Sequence, residues 1–366
     1  MSVRLRVVSL LALVLWGAGC ATLTFDPTQL RRLDARVKTL EGRLVSLERE
    51  AAPIAPVVNR VRAAVALVWG TYTFADEAGR PLRHVLNEAG EPIADPQGVP
   101  LVDVEGTGAV AVTNYSGTAF LVGPNGELLT NRHIAEPWWE DETSEPLLTA
   151  GLQPVFIRLR AFFPDSSEAI PIEVIRVDAE QDMALVRTTG RTPAAEPLRL
   201  HPRPEELEDG QPVLLIGYPT GLDALLAKIE DSEWKTLQAE TGPCSYATVE
   251  WLVQNRRLRP TITGGYLWEV LPHILVYDAR TRGGGSGGPL LDRQGRVVGV
   301  NAAYLPEFAG GNFGVPIPFG QRLLTGGGLA ANAPTRETPE LLAGGKAVEE
   351  KPITACSVER TARGRR

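Results

Sequence analysis

The sequence predicts a mostly β protein, because three stretches each combine short apolar strands with a tight turn. In the first stretch, residues 117–133, an Asn-Gly turn separates two apolar strands. The second stretch covers residues 174–187, where a polar turn joins two apolar runs. The third runs as strand, turn and strand over residues 289–300.

A glycine-rich run, residues 283–288, leads directly into the third stretch and contains one serine, Ser286. Glycine lets the backbone adopt positive φ and turn several N–H groups toward one point. A serine presented there could attack a carbonyl, and the neighbouring amides could hold the resulting oxyanion. A flexible linker with an incidental serine is the alternative, but a linker should not run straight into an apolar strand.

A nucleophilic serine needs a base and a group that orients the base. His133 is the one histidine of four that ends a predicted strand. The other three lie in polar or proline-containing stretches: His84, His201 and His273. Asp182 directly precedes an apolar strand and is the candidate acid. Asp178 is its rival and is interpreted as a surface turn residue.

Together these segments resemble the trypsin-like serine proteases, and within them the HtrA/Deg type, over roughly residues 57–325. The matching pieces are residues 116–120 leading to 129–133, then 182–186, then 284–290. The chain order His, Asp, Ser is also that of this fold. The resemblance implies two six-stranded antiparallel β-barrels, with an N-terminal helix and a helical insertion in the C-terminal barrel.

The resemblance also implies roles for individual residues. Ser286 would be the nucleophile, His133 the general base and then acid, and Asp182 the orienting carboxylate. The backbone N–H groups of Gly284 and Ser286 would form the oxyanion hole. No cofactor and no metal are expected. The function implied is that of a serine endopeptidase, which hydrolyses envelope or extracellular proteins through an acyl-enzyme. The alternative is a catalytically inactive, protease-fold binding scaffold.

The residue before the serine is Gly285, where trypsins carry Asp and HtrA-type enzymes often carry Asn. Without a side chain it cannot pair with a freed N-terminus, so trypsin-style zymogen activation is not expected. It also leaves open whether the oxyanion hole is formed at rest. Four residues are candidates for the substrate pocket: Arg280, Thr281, Arg282 and Asn301. The two arginines would either favour acidic side chains or be solvated surface residues.

The N-terminus resembles a bacterial lipoprotein signal. Basic residues precede a ten-residue apolar stretch, which is too short to span a bilayer. Small residues then lead to Cys20. We therefore predict a signal peptide at 1–19 and lipidation of Cys20. Ala21 after the cysteine favours the outer membrane, facing the periplasm; secretion as a soluble protein is the alternative.

Residues 20–56 are predicted to form the lipidated anchor, a helix and a Pro/Ala spacer at 51–56. Leucine and valine recur between residues 30 and 47 at alternating spacings of three and four, which is typical of a coiled coil of about three heptads. Residues 28–50 could thus join two or three chains, or form one amphipathic helix packed on its own protease domain.

The remaining features set further expectations. Two insertions are expected in the protease region: a loose turn repeat near 75–108, and a helical segment near 222–258 that either covers the cleft or decorates the far surface. Residues 326–366 are predicted to be a disordered tail, too short for a PDZ domain. Cys244 and Cys356 are the two cysteines that could form a disulfide bond; two free thiols are the alternative. The net charge of −7 gives no indication of nucleic-acid binding.

Overall fold

The computed structural model describes residues 31–32, 34–41, 54–241, 245–304, 311–331 and 337–338. The chain divides into two units, Met1–Pro53 and Ile54–Arg366. The described residues of the first unit are helical, and Lys38 pairs with Asp34 one turn earlier at 2.9 Å. The signal region, most of the predicted heptad seam and all three cysteines lie outside the described residues.

The described part of the second unit contains fifteen strands and seven α-helices. The strands are β1 (Val65–Ala75), β2 (Arg83–His84), β3 (Val102–Asp103), β4 (Thr113–Leu121), β5 (Glu127–Thr130), β6 (Gln153–Phe162), β7 (Ile170–Val177), β8 (Ala184–Thr188), β9 (Pro212–Gly217), β10 (Thr261–Val270), β11 (Leu275–Tyr277), β12 (Pro289–Leu291), β13 (Val297–Tyr304), β14 (Asn312–Pro316) and β15 (Leu329–Ala330). The helices are α1 (Ile54–Val61), α2 (Arg132–Ala135), α3 (Glu145–Thr149), α4 (Leu222–Leu226), α5 (Asp231–Thr241), α6 (Tyr246–Gln254) and α7 (Ile317–Leu324).

The first barrel is closed by β1, β4, β5, β8, β7 and β6 in that order, and each neighbouring pair is antiparallel. Strand β1 is buried at all eleven positions. Large apolar side chains fill the interior, among them Trp69, Phe120 and Phe162, each less than 2% exposed. Burial of this much aromatic surface is a main source of the stability of the barrel.

The second barrel is closed by β9, β10, β11, β14, β13 and β12, again with antiparallel neighbours. The hairpin β12–β13 turns at Asp292, whose side chain accepts the backbone N–H groups of Gln294 and Arg296. Two closed six-stranded antiparallel barrels confirm the predicted fold class.

A helical insertion of three helices, α4 to α6, separates β9 from β10. Helix α6 begins at a capping box, in which Ser245 Oγ accepts the N–H of Thr248. The ring centroid of Tyr246, at the start of α6, lies 6.5 Å from that of Trp69 and 5.9 Å from that of Phe162. The insertion therefore leaves the second barrel and packs against the first.

The turn repeat between β1 and β4 consists of turns and short extended arms, as predicted. Each turn begins at a residue whose side-chain oxygen accepts the backbone N–H groups two and four positions later: Asp76, Asn87 and Asp95. The arms meet in a closed ring of backbone hydrogen bonds. Val85 donates to Leu101 at 3.0 Å, Leu101 to Ile93 at 2.8 Å, and Ile93 to Val85 at 2.9 Å.

The predicted disordered tail begins at residue 326, but the structure differs for the tail residues that it describes. Residues 329–330 form β15 and add to the edge of β7. Glu337 pairs with Arg160 on β6. Main-chain pairing and a partly buried ion pair order these residues, and neither can be detected from composition.

The predicted spacer at 51–56 also differs in its described part, because residues 54–56 already belong to α1. Pro56 fits there, since the first turn of a helix leaves its N–H groups without intrahelical partners. No helix within the described residues is long and apolar enough to cross a membrane.

Candidate active site

His133 is positioned by the hairpin of β4 and β5, as its sequence context predicts. Gly126 occupies the turn with φ of +85°, a region that glycine enters without strain. Strand β5 ends at Thr130, and the short helix α2 then carries His133 to the side of the barrel that faces Asp182.

Asp182 holds the histidine by two hydrogen bonds. His133 Nδ1 donates to Oδ2 at 2.7 Å, and the backbone N–H of His133 donates to Oδ1 at 3.0 Å. A carboxylate only accepts, so Nδ1 carries a proton, and in the neutral imidazole Nε2 is the nitrogen with the lone pair. The side chains are 35% and 21% exposed, respectively. The histidine is thus oriented as a proton acceptor and remains accessible.

The turn before β8 keeps Asp182 in place. Asn131 Nδ2 donates to the carbonyl oxygen of Asp182 at 2.8 Å. Asp178 caps the turn by accepting the N–H groups of Glu180 and Gln181, both at 3.0 Å, and pairs with Arg322. Asp178 is therefore a turn residue, as interpreted from the sequence. It is buried rather than on the surface, because Arg322 on α7 covers it.

Ser286 lies in the loop between β11 and β12. The segment before it forms a turn in which the N–H of Gly285 donates to the carbonyl of Arg282 at 3.0 Å. Gly284, the third residue of this turn, has φ of +83°, which is the requirement of a type II turn. Thr118 on β4 donates its N–H to the Ser286 carbonyl at 2.8 Å, so the first barrel holds the loop of the second.

The hydroxyl of Ser286 donates to the carbonyl of Ala302 at 3.1 Å. No hydrogen bond among the described residues joins Ser286 Oγ to His133.

The backbone N–H groups of Gly284 and Ser286 donate to no other group within the described part of the chain. Both are therefore free to receive a negatively charged oxygen. The carbonyl of Gly283 accepts the N–H of Thr220 at 2.5 Å. Since the C=O and N–H of a trans peptide point in opposite directions, this bond directs the Gly284 N–H away from Thr220.

The candidate pocket residues separate into two groups. Thr281 and Asn301 are buried and joined, with Asn301 Nδ2 donating to Thr281 Oγ1 at 3.4 Å. Asn301 Oδ1 in turn accepts the hydroxyl of Tyr277, and burial raises the pKa of that tyrosine. Arg280 and Arg282 are exposed.

Several residues at this site have roles that sequence reasoning did not assign. Thr118 and Ala302 both form hydrogen bonds with Ser286, and Asn131 donates a hydrogen bond to Asp182. Thr118 lies within the glycine-containing segment 116–120, which is one of the matching motif pieces. The motif therefore predicts that Thr118 lies near the site. Its hydrogen-bond partners follow only from the contact between the two barrels.

The two barrels have the arrangement of the trypsin-like protease fold. Residues 117–300 match the family model described as Trypsin-like peptidase domain. The match covers half of the sequence, and the chain belongs to this family.

Curated relatives are serine proteases of the HtrA and DegP kind. Protease Do-like 1, chloroplastic, of Arabidopsis thaliana is 27% identical over 212 residues, which is 57% of this chain and 37% of the relative. A protein of Pseudomonas savastanoi named "Probable periplasmic serine endoprotease DegP-like" is 25% identical, over 56% of this chain and 33% of its own length. Magnetosome formation protease MamE of Paramagnetospirillum magneticum is 26% identical, over 61% and 25%. The chain thus spans well under half the length of these relatives.

Among solved structures, the chain is similar to the HtrA-type protease AlgW with tripeptide. The identity is 18%, the TM-score is 0.42, and the match covers 75% of this chain and 62% of that one.

Proposed function

We propose that the protein is a serine endopeptidase with Ser286 as nucleophile, His133 as general base and acid, and Asp182 as the orienting carboxylate. The single observation that carries this proposal is the double hydrogen bond from His133 to Asp182, which orients the ring and makes Nε2 the acceptor nitrogen of the neutral imidazole.

The proposed reaction proceeds in two halves. Ser286 Oγ gives its proton to His133 Nε2 as it attacks the substrate carbonyl carbon, and the N–H groups of Gly284 and Ser286 stabilise the oxyanion. The C–N bond then breaks, and His133 returns the proton to the leaving amine. Water, deprotonated by His133, hydrolyses the acyl-enzyme and releases Ser286.

The test is labelling of Ser286 by a fluorophosphonate probe, together with hydrolysis of a fluorescent protein substrate such as labelled casein. Ser286→Ala should abolish both and leave the fold intact, with a loss of about a million-fold in turnover. A folded wild-type protein that takes no label and cleaves nothing would favour the inactive scaffold, in which the Ser286 hydroxyl stays bonded to Ala302.

For the natural substrates, we infer proteins or peptides of the bacterial envelope. The support is the periplasmic location in the printed names of the DegP-like relatives. If the exposed Arg280 and Arg282 face the substrate, a peptide-library cleavage profile should show acidic residues before the cleaved bond; solvated surface arginines should leave the profile indifferent to charge.

We further propose that residues 1–19 are a signal peptide and that Cys20 carries a lipid anchor in the outer membrane. Two lipid chains or more make such an anchor stable. Mass spectrometry of the mature N-terminus should find a diacylglyceryl group on Cys20, and membrane fractionation should find the protein with the outer membrane. A cleaved, unmodified N-terminus would identify a secreted protein.

Residues 28–50 are proposed to join two or three chains near the membrane, which leaves 57–325 as the protease domain. The described helix carries Val37 and Leu40 at the spacing of the predicted heptad seam, which supports this proposal. Sedimentation of the mature protein should give a dimer or trimer, and Leu40→Asp should give a monomer.

A further inference from the structure

Thr118 uses all its polar groups at the junction of the two barrels. Its N–H donates to the carbonyl of Ser286 at 2.8 Å, and its carbonyl accepts the hydroxyl of Thr130 at 2.7 Å. Its own hydroxyl donates to the carbonyl of Gly284 at 2.9 Å and accepts the N–H of Tyr218 at 3.1 Å. The residue is completely buried.

The two peptide units on either side of Gly284 are each held by a different residue. The Gly283–Gly284 unit is fixed by the N–H of Thr220, which donates to the Gly283 carbonyl. The Gly284–Gly285 unit is fixed by the hydroxyl of Thr118 and by the bond from Gly285 to Arg282. A glycine-rich segment would otherwise populate several conformations, because its residues lose the most backbone entropy on ordering.

The turn that carries Thr220 is itself packed against Gly284. A Cβ on Gly284 would lie 2.7 Å from both Gly221 N and the Tyr218 carbonyl. Thr220 has φ of +59°, an unusual conformation for a β-branched residue. Strain of this kind persists where the surrounding structure imposes it, and it is frequent at functional sites.

We propose that Thr118 is a positioning residue of the oxyanion hole: its hydroxyl, together with the Thr220 N–H, keeps the Gly284 N–H directed into the site before substrate binds. Thr118 does not touch the reacting atoms. Without its hydroxyl, the Gly284 carbonyl loses its side-chain partner, and the Gly284–Gly285 peptide is held by the bond from Gly285 to Arg282 alone. The turn that presents the Gly284 N–H is then held less rigidly. The inference rests on the proposed protease function.

The test compares three variants. Thr118→Val keeps the side-chain shape and removes the hydroxyl, whereas Thr118→Ser keeps the hydroxyl. Thr73→Val is the matched control, because Thr73 is also buried, and its hydroxyl donates to a backbone carbonyl, that of Ala111, at 2.7 Å. Thr73 lies six residues along β1 from Leu67, the partner of Thr118, or about 20 Å away at the usual rise per residue.

The measured quantities are kcat and KM on a chromogenic peptide and the inhibition constant of a peptide boronate, whose tetrahedral adduct places an oxygen in the oxyanion hole. Thr118→Val should lower kcat about 10- to 100-fold, somewhat less than the 10²–10³ typical of deleting an oxyanion donor, with KM nearly unchanged. Binding of the boronate should weaken by a similar factor. Thr118→Ser should retain most of the activity.

The outcomes separate this inference from the proposed function. Equal kcat in Thr118→Val and Thr73→Val, with both folded at the assay temperature, would overturn the positioning role while the protease assignment stands. A parallel rise in KM with constant kcat would also overturn it, because that pattern indicates lost substrate binding. A wild-type protein that hydrolyses nothing and leaves Ser286 unlabelled would refute the function itself.

Discussion

The ion pair between Glu337 and Arg160 ties the C-terminal segment to β6, and its removal gives a quantitative test of the structure. The Glu337 carboxylate accepts three hydrogen bonds, from the Leu159 N–H at 3.1 Å and from Arg160 Nε and Nη2 at 2.8 and 3.1 Å. Arg160 also donates to the hydroxyl of Tyr246 on α6 at 3.0 Å. The pair thus joins the tail, the first barrel and the helical insertion, and it raises the pKa of the guanidinium.

The magnitude follows from the burial of the two partners. The side chains of Arg160 and Glu337 are 29% and 14% exposed. Removing one partner of a fully buried pair costs about 3–5 kcal/mol, because the other charge stays buried and unpaired. Arg160 keeps its bond to Tyr246 and some contact with water, so Glu337→Ala should lower the free energy of unfolding by about 2 kcal/mol.

The assay is urea unfolding of the full chain, combined with a double-mutant cycle using Arg160→Met. The coupling energy should be about 1–2 kcal/mol. Glu168→Ala is the control, because Glu168 pairs with Arg191 at 3.2 Å with both side chains at least half exposed. That variant should change stability by less than about 1 kcal/mol. If Glu337→Ala is no more destabilising than Glu168→Ala, the described tail contact is refuted.

Three further changes have defined outcomes. Asp182→Asn should lower kcat about 10⁴-fold with little effect on the melting temperature, because the wrong tautomer of His133 is favoured; a loss below tenfold would exclude Asp182 as the orienting group. Burial, and then the charge of Arg296, lower the pKa of His201. Stability should therefore be complete above about pH 6.5 and fall as the pH drops toward the lowered value, and His201→Gln should reduce that dependence in thermal melts at pH 7.5 and 5; an unchanged dependence would contradict it. Thr220→Gly keeps the N–H that bonds Gly283 and relieves the positive φ. It should raise the free energy of unfolding by about 0.5–1 kcal/mol, and a clear loss in urea unfolding would argue against strain at Thr220.

The fold could be predicted because local patterns and family motifs agree. The Asn-Gly turn before β5 and the apolar strand after Asp182 specify their elements through neighbouring residues alone. The contacts between barrels could not be predicted in this way. The residues around Thr118 in the sequence do not indicate that Gly284 is its hydrogen-bond partner, because 166 positions separate the two. The contact forms only when both barrels are closed.

The same limit explains the tail. Composition between residues 326 and 338 is rich in glycine and alanine, which predicts disorder when only local burial is considered. The ordering contacts come from outside the segment, through the free edge of β7 and the guanidinium of Arg160. A single carboxylate that accepts three hydrogen bonds is enough to hold a polar segment. The sequence of the segment alone cannot predict this, because the donors lie elsewhere in the chain.

Gly285 shows how a departure from the family pattern can be accommodated. A Cβ at this position would lie 2.3 Å from Thr281 Oγ1, so the space that a side chain would fill is already taken by a buried threonine. Thr281 accepts a hydrogen bond from Asn301, which in turn accepts one from the hydroxyl of Tyr277. The backbone of Gly285 is ordered at both ends, by its N–H to Arg282 and by its carbonyl, which accepts Gly288 N–H at 3.1 Å. Order before Ser286 therefore comes from main-chain hydrogen bonds and from the packing of Thr281. The absence of a side chain at residue 285 does not by itself loosen the loop that carries Ser286.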